Sequence, residues 1–176
     1  AVFAPQEERI DIIDIGCGEC HEAAVLVDFF RRFNVNGTPR GVNLVGYDFN
    51  NAAISSATDF YSQQELPPDV TLEFRPNEVR QGTIPKTETY DVVFVRHPSV
   101  GNSYFEWQVA LKEASTSHRD GGILIVTSYN ANELRAIMEI TEDLDYTVSY
   151  SGRNSHSKPY DDHNGRDFFV LIATKN

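Results

Sequence analysis

Two hydrophobic periods take turns along this chain, one suited to strands and the other to helices. Arg9–Ile15 (RIDIIDI) is a short β-branched run that stops at a glycine and reads as a strand. Over His21–Phe33, the residues Leu26, Phe29, Phe30 and Phe33 recur at helical spacing. A polar Gly/Pro loop, Asn34–Asn43, leads to a second predicted strand, Leu44–Asp48 (LVGYD). Asn51 stands where it can cap a helix whose inner face is Ala53, Ile54, Ala57 and Phe60. Pro67-Pro68 then break the chain ahead of strand Val70–Phe74.

Residues 75–90 are irregular, and Asp91–Val95 (DVVFV) predicts a fully buried strand. A loop, His97–Phe105, precedes helix Glu106–His118, with Trp107, Ala110, Leu111 and Ala114 on one face. Gly121-Gly122 lead into strand Ile123–Thr127. Asn130, with Glu133 three residues on, resembles a capping box for helix Glu133–Leu144, whose apolar face is Leu134, Ile137, Met138 and Leu144. Two strands, Tyr146–Tyr150 and Phe168–Thr174, close the chain around a polar loop. Five strand–helix units followed by a hairpin predict a doubly wound α/β fold: a mostly parallel sheet, helices on both faces, one antiparallel strand at the end. Neither a repeat nor a linker interrupts the pattern, so 1–176 reads as a single domain.

Composition narrows the classes. With 15 Lys+Arg against 26 Asp+Glu the net charge is −11, which argues against broad electrostatic binding to nucleic acid. The apolar runs all fall short of the ~18 residues of a membrane span. AVFAPQEER lacks the charged start and long apolar centre of a signal peptide. It also lacks an initiator Met, which points to processing or trimming. The two cysteines are three positions apart, no disulfide framework, so a reducing cytoplasm is expected.

Both cysteines fall in Asp14–His21 (DIGCGECH), which admits three chemistries. CxxCH is formally a haem-attachment string, but the only Met, Met138, is on a predicted core face, and a macrocycle directly after a buried strand would collide with the sheet. CxxC is also zinc spacing, yet no second CxxC or HxxxH closes a site, so no metal is expected. A thioredoxin-like pair is conceivable, because thiols at a helix start have depressed pKa values. The third chemistry uses the whole segment. A strand ends at Asp14-Ile15, Gly16 and Gly18 let the backbone approach a ligand, and a helix start offers N–H groups to it. One strand later, Asp48 is placed to accept both hydroxyls of a ribose. His21 stands where a dinucleotide motif has its last glycine, and the leading acid suits a cofactor that carries an ammonium group.

On these residues the chain resembles the class I S-adenosylmethionine-dependent methyltransferases. DIGCGEC is similar to their first motif, with Cys20 in place of the third glycine, and LVGYDFN to their second. YDVVFVRHP, GGILIVTSY and the final hairpin fall where the family has its fourth to seventh strands. The resemblance implies strand order 3-2-1-4-5-7-6 with strand 7 antiparallel. It implies that Asp14, Gly16, Cys17 and Gly18 surround the methionine end of S-adenosylmethionine. Asp48 and Phe49 would hold ribose and flank adenine, and Asn77 and Glu78 would meet the adenine amino group.

The methyl acceptor is expected beyond the fourth strand, at Arg96-His97-Pro98-Ser99. His97 is the candidate base because its ordinary pKa lies near neutrality. Arg96 is the candidate ligand for an acidic group on the acceptor. The sequence differs from the Asn/Asp-Pro-Pro-aromatic motif of enzymes that methylate amino groups of DNA bases or glutamine, so a small-molecule acceptor is favoured. Cover for it is expected from 98–105, 128–132 and 151–166, or from a second copy or partner subunit. The rival readings are a catalytically silent methyltransferase-like scaffold and an NAD(P)-binding enzyme.

Overall fold

The computed structural model describes residues 8–33, 39–155 and 168–176. Its centre is β1 (Arg9–Ile15), which pairs in parallel with β2 (Gly41–Tyr47) on one side and β4 (Tyr90–Arg96) on the other. β3 (Val70–Arg75) extends the sheet beyond β2, and β5 (His118–Ser128) extends it beyond β4. β7 (Phe169–Lys175) inserts antiparallel between β5 and β6 (Tyr146–Arg153). The order is β3-β2-β1-β4-β5-β7-β6, as the motif resemblance implied.

The pleat of β1 divides the core in two. Ile10 and Ile12 join a cluster with Leu26 and Phe30 of α1 (Ala23–Arg31) and Ile54 and Ala57 of α2 (Asn51–Ser62). Ile13 and Ile15 join another, with Leu111 of α3 (Tyr104–Thr116) and Leu134 and Ile137 of α4 (Ala131–Glu142). Alternate side chains of one strand thus anchor helices on opposite faces. Asp11 and Asp91, both buried in the sheet, are bridged by Arg119 at 3.1 and 2.6 Å, and Arg9 pairs with Asp11 as the second cation at 3.2 Å.

Several boundaries differ from the periodicity. The crossing from β3 to β4 carries no helix, so there are four strand–helix units among the described residues rather than five. The glycine turn runs on to Glu22, which delays α1 to Ala23. Leu26 and Phe30 are buried, but Phe29 and Phe33 are exposed and pack on each other at 5.1 Å. Asn50 rather than Asn51 caps α2, accepting from the amides of Ala52 and Ala53. With that frame Tyr61 turns inward and Phe60 is exposed. β2 begins three residues early, because the Gly41 amide already bonds to Glu8.

β5 begins at His118, pairing with Tyr90, and an irregularity between Tyr90 and Val92 absorbs Gly121 and Gly122 into the strand. Asn130 caps α4 as expected, while Glu133 reaches the amide of Tyr129 rather than that of Asn130. None of the helices among the described residues is long and apolar enough to cross a membrane.

Candidate functional site

The C-terminal ends of β1, β2 and β4 meet where the strand order reverses, which is where open α/β sheets form their ligand crevice. A cavity of about 510 Å³ lies there. Its wall takes Ile15 and Gly16 from the end of β1, Tyr47, Asp48 and Phe49 from β2, and Asn77 and Glu78 from the segment after β3. Arg96 and His97 close the far side, and Trp107 of α3 forms a lid over the glycine turn. Its volume falls within the roughly 300–1,000 Å³ common for small-molecule and cofactor sites.

The turn is held tightly. Gly16 and Gly18 have φ of 75° and 56°, conformations that an L side chain would strain. A β-carbon on Gly16 would also stand 3.0 Å from the Trp107 ring. Four amides of the turn bond within the protein. Those of Gly16 and Cys17 donate to the carbonyl of Tyr47, that of Gly18 to Asp48, and that of Cys20 to Cys17. The cause is β2, whose last residues rise beside the turn. Asp48 is buried to 8% exposure and accepts two amides, those of Gly18 and Asn50, each at 2.8 Å. Phe49 beside it is fully available, at 77% exposure.

The cysteines point away from the cavity. Both are buried in the α1/α2 cluster, and a β-carbon on Gly46 of β2 would meet either sulfur at 2.8 Å. The turn brings their Cα atoms to 4.7 Å, and the sulfurs are bonded to each other, a link that their spacing alone did not lead us to expect. Cys17 can therefore offer a ligand only its backbone. No group of three or more His, Cys, Asp or Glu side chains among the described residues converges as metal ligands.

Asp14 is fully buried, and neither carboxylate oxygen has a hydrogen-bond donor. Burial first, and then the neighbouring Glu22 carboxylate, push its carboxyl well above the usual range. Arg96, expected to face the acceptor, donates to Glu22 at 3.3 Å. His97 sits in the left-handed region at φ 51°, its amide bonds to the carbonyl of Thr127, and its ring stacks on Tyr129 at 4.0 Å. Strained non-glycine backbone of this kind is characteristic of functional sites. Asn77 and Glu78 both reach the cavity, and Glu78 also pairs with Arg80.

Glu22, Trp107 and Tyr129 were not singled out as site residues. Glu22 and Arg96 are 74 residues apart, so their pairing leaves no local trace. Trp107 keeps ordinary helical spacing and gives no separate signal.

A family model described as "Methyltransferase domain" matches residues 6–161. The chain belongs to this family, and with it to the class I methyltransferases its motifs resemble. No curated protein matches it in sequence. Among solved structures, an S-adenosylmethionine-dependent methyltransferase from Methanosarcina mazei superposes with TM-score 0.71 at 16% identity, covering 96% of this chain and 93% of its own. Magnesium protoporphyrin IX methyltransferase from Synechocystis, solved with bound S-adenosylmethionine, gives 0.65 at 13%, covering 95% and 70%. The [4+2]-cyclase SpnF gives 0.68 at 15%, covering 94% and 74%. Likeness at such identities establishes the shared fold.

Proposed function

We propose that residues 1–176 act as one domain that transfers a methyl group from S-adenosylmethionine to a small-molecule acceptor. One observation carries the reading: a single cavity at the strand-order reversal is walled by the glycine turn, the Asp48-Phe49 tip, Asn77-Glu78 and Arg96-His97. The fit to the cofactor rests on Asp14, a buried carboxyl without a donor that an ammonium group would satisfy. Gly16 lines the cavity with bare backbone beneath the Trp107 ring. Asp48 accepts two amides and retains lone pairs for ribose hydroxyls. Phe49 offers an uncovered ring to adenine, beside Asn77 and Glu78.

The cofactor supplies an electrophilic methyl on a sulfonium. The residues of this chain contribute mainly position, which alone lowers such barriers substantially. Arg96 ties the tip of β4 to the start of α1 through Glu22. Tyr129 stacks on His97 and the Thr127 carbonyl accepts its amide; we assign His97 as the base that takes a proton from the acceptor where one must be lost. The acidic balance of the chain supports a small molecule over nucleic acid.

Calorimetry with S-adenosylmethionine, S-adenosylhomocysteine and NAD tests this directly. Binding of the first two and not the third is expected; failure of both overturns the reading. Cofactor turnover over a panel of acceptors then compares wild type with His97→Ala. Equal rates would remove His97 from the mechanism. A second reading, a silent methyltransferase-like scaffold, is favoured by the burial of both His97 ring nitrogens. Cofactor binding without turnover on any acceptor would support it.

A further inference from the structure

Glu22 belongs to no sequence motif, yet it sits at the electrostatic centre of the site. It occupies the N-cap position of α1 without making a side-chain cap bond, so capping does not explain its carboxylate. It instead accepts from Arg96 and faces Asp14, the buried carboxyl without a donor. Asp14 is also faced by Asp48 from the tip of β2. Tyr61 of α2 is close enough to feel the charges of both Asp14 and Glu22, its hydroxyl donating to the Cys20 carbonyl. Asp14, Glu22 and Arg96 thus share a corner beside the glycine turn, with Asp48 facing it.

The charge count decides the resting form. The Asp48 charge is met by the amides of Gly18 and Asn50; with Asp14 and Glu22 also ionised, Asp14, Glu22 and Arg96 sum to a further −1, and an uncompensated buried charge is costly. One proton held between the carboxyls brings the sum to zero. We propose that Glu22 is a positioning residue of the cofactor site, and that seating the cofactor's ammonium beside Asp14 expels one proton from the Asp14–Glu22 pair. This rests on the methyltransferase reading above. The carboxyl O–H bond breaks, its electron pair stays on oxygen, and the proton passes to buffer. The ammonium supplies the lost positive charge, and no covalent bond to the cofactor forms.

The test is calorimetry of the full chain with S-adenosylmethionine, at one pH, in two buffers of different ionisation enthalpy. Wild type should release close to one proton per cofactor bound, and its affinity should rise up to about tenfold per pH unit across the linked window. Adenosine, which lacks the amino-acid end, should bind without proton release. In Glu22→Gln the like charge beside Asp14 is gone while its burial remains, so proton release should diminish and move to lower pH. Arg96→Met removes the compensating cation and should move the release to higher pH. It reports independently if Glu22→Gln does not fold.

Cofactor binding with no buffer dependence in wild type would overturn the proposal while leaving the methyltransferase reading intact. So would undiminished proton release in Glu22→Gln, or an unmoved release profile in Arg96→Met. Wild type that does not bind S-adenosylmethionine at all overturns the reading itself.

Discussion

The carboxylate of Asp48 accepts the amide of Gly18 at 2.8 Å, so the tip of β2 and the turn after β1 form one rigid unit. Asp48→Ala would remove the acceptor of both Gly18 and Asn50. Leaving such amides unpaired costs about 1–3 kcal/mol each where they are buried. The substitution should lower stability in urea titrations and weaken S-adenosylmethionine at least about tenfold by calorimetry. Unchanged cofactor affinity would take Asp48 out of the ribose contact.

Gly46 faces the paired sulfurs. A β-carbon there would stand 2.8 Å from each sulfur and 3.1 Å from the Phe74 ring, all in the packed core. Gly46→Ala should cost roughly 1–3 kcal/mol, the usual range for overpacking. Gly101 provides the control: a β-carbon there meets nothing within 4 Å, and its exposed loop position makes Gly101→Ala nearly neutral. Equal stability of the two variants would refute the close packing at Gly46.

His118 gives the fold a pH dependence at the sheet end opposite the cavity. Burial pulls its pKa down from 6.5 to about 4. As a neutral ring it accepts from the Tyr146 hydroxyl through Nδ1 and donates to the Asp91 carbonyl through Nε2. The unfolded chain therefore takes up a proton first as pH falls. Stability from this group is intact above the unfolded value, declines between about 6.5 and about 4, and is lower by roughly 3 kcal/mol beneath that window. Urea unfolding at about pH 7 and about pH 5 should show the decline in wild type and a shallower one in His118→Gln. An equal slope in both would remove His118 as the cause.

Cys17 and Cys20 are joined beneath the turn, at 5% and 0% exposure. A small reductant with an alkylating agent should leave them unmodified in the native protein and modify both after addition of denaturant. Mass spectrometry reads the outcome. Labelling of native protein at the rate of an exposed thiol would contradict their burial.

Much of this was legible in the sequence because it is local. The Arg9–Ile15 strand, the glycine pair after it, the Asp48 tip and the Asn130 cap each declare themselves within a few residues. What stayed hidden depends on contacts between distant segments. Phe29 and Phe60 have the right period, yet helix rotation is set by which residue meets the sheet, and Phe30 and Tyr61 took those places. The early start of β5 required the partner strand, since Tyr90 pairs with His118 before the register shifts. Within the site, Asp48 and the glycines were readable from their motifs. Glu22 was not, because its significance comes from Arg96 across the sheet edge.

The division of β1 between two cores has a consequence for how damage travels. Ile15, Tyr47, Val79 and Ala110 on the cavity wall belong to the α3/α4 cluster, while the sulfurs behind the turn belong to the α1/α2 cluster. The crevice is thus walled by the α3/α4 layer and backed, behind the glycine turn, by the α1/α2 layer. Loosening either layer, even far from any ligand contact, would distort the crevice before it unfolds the chain. Many substitutions that look purely structural would then register first as a protein that still folds but no longer grips its cofactor.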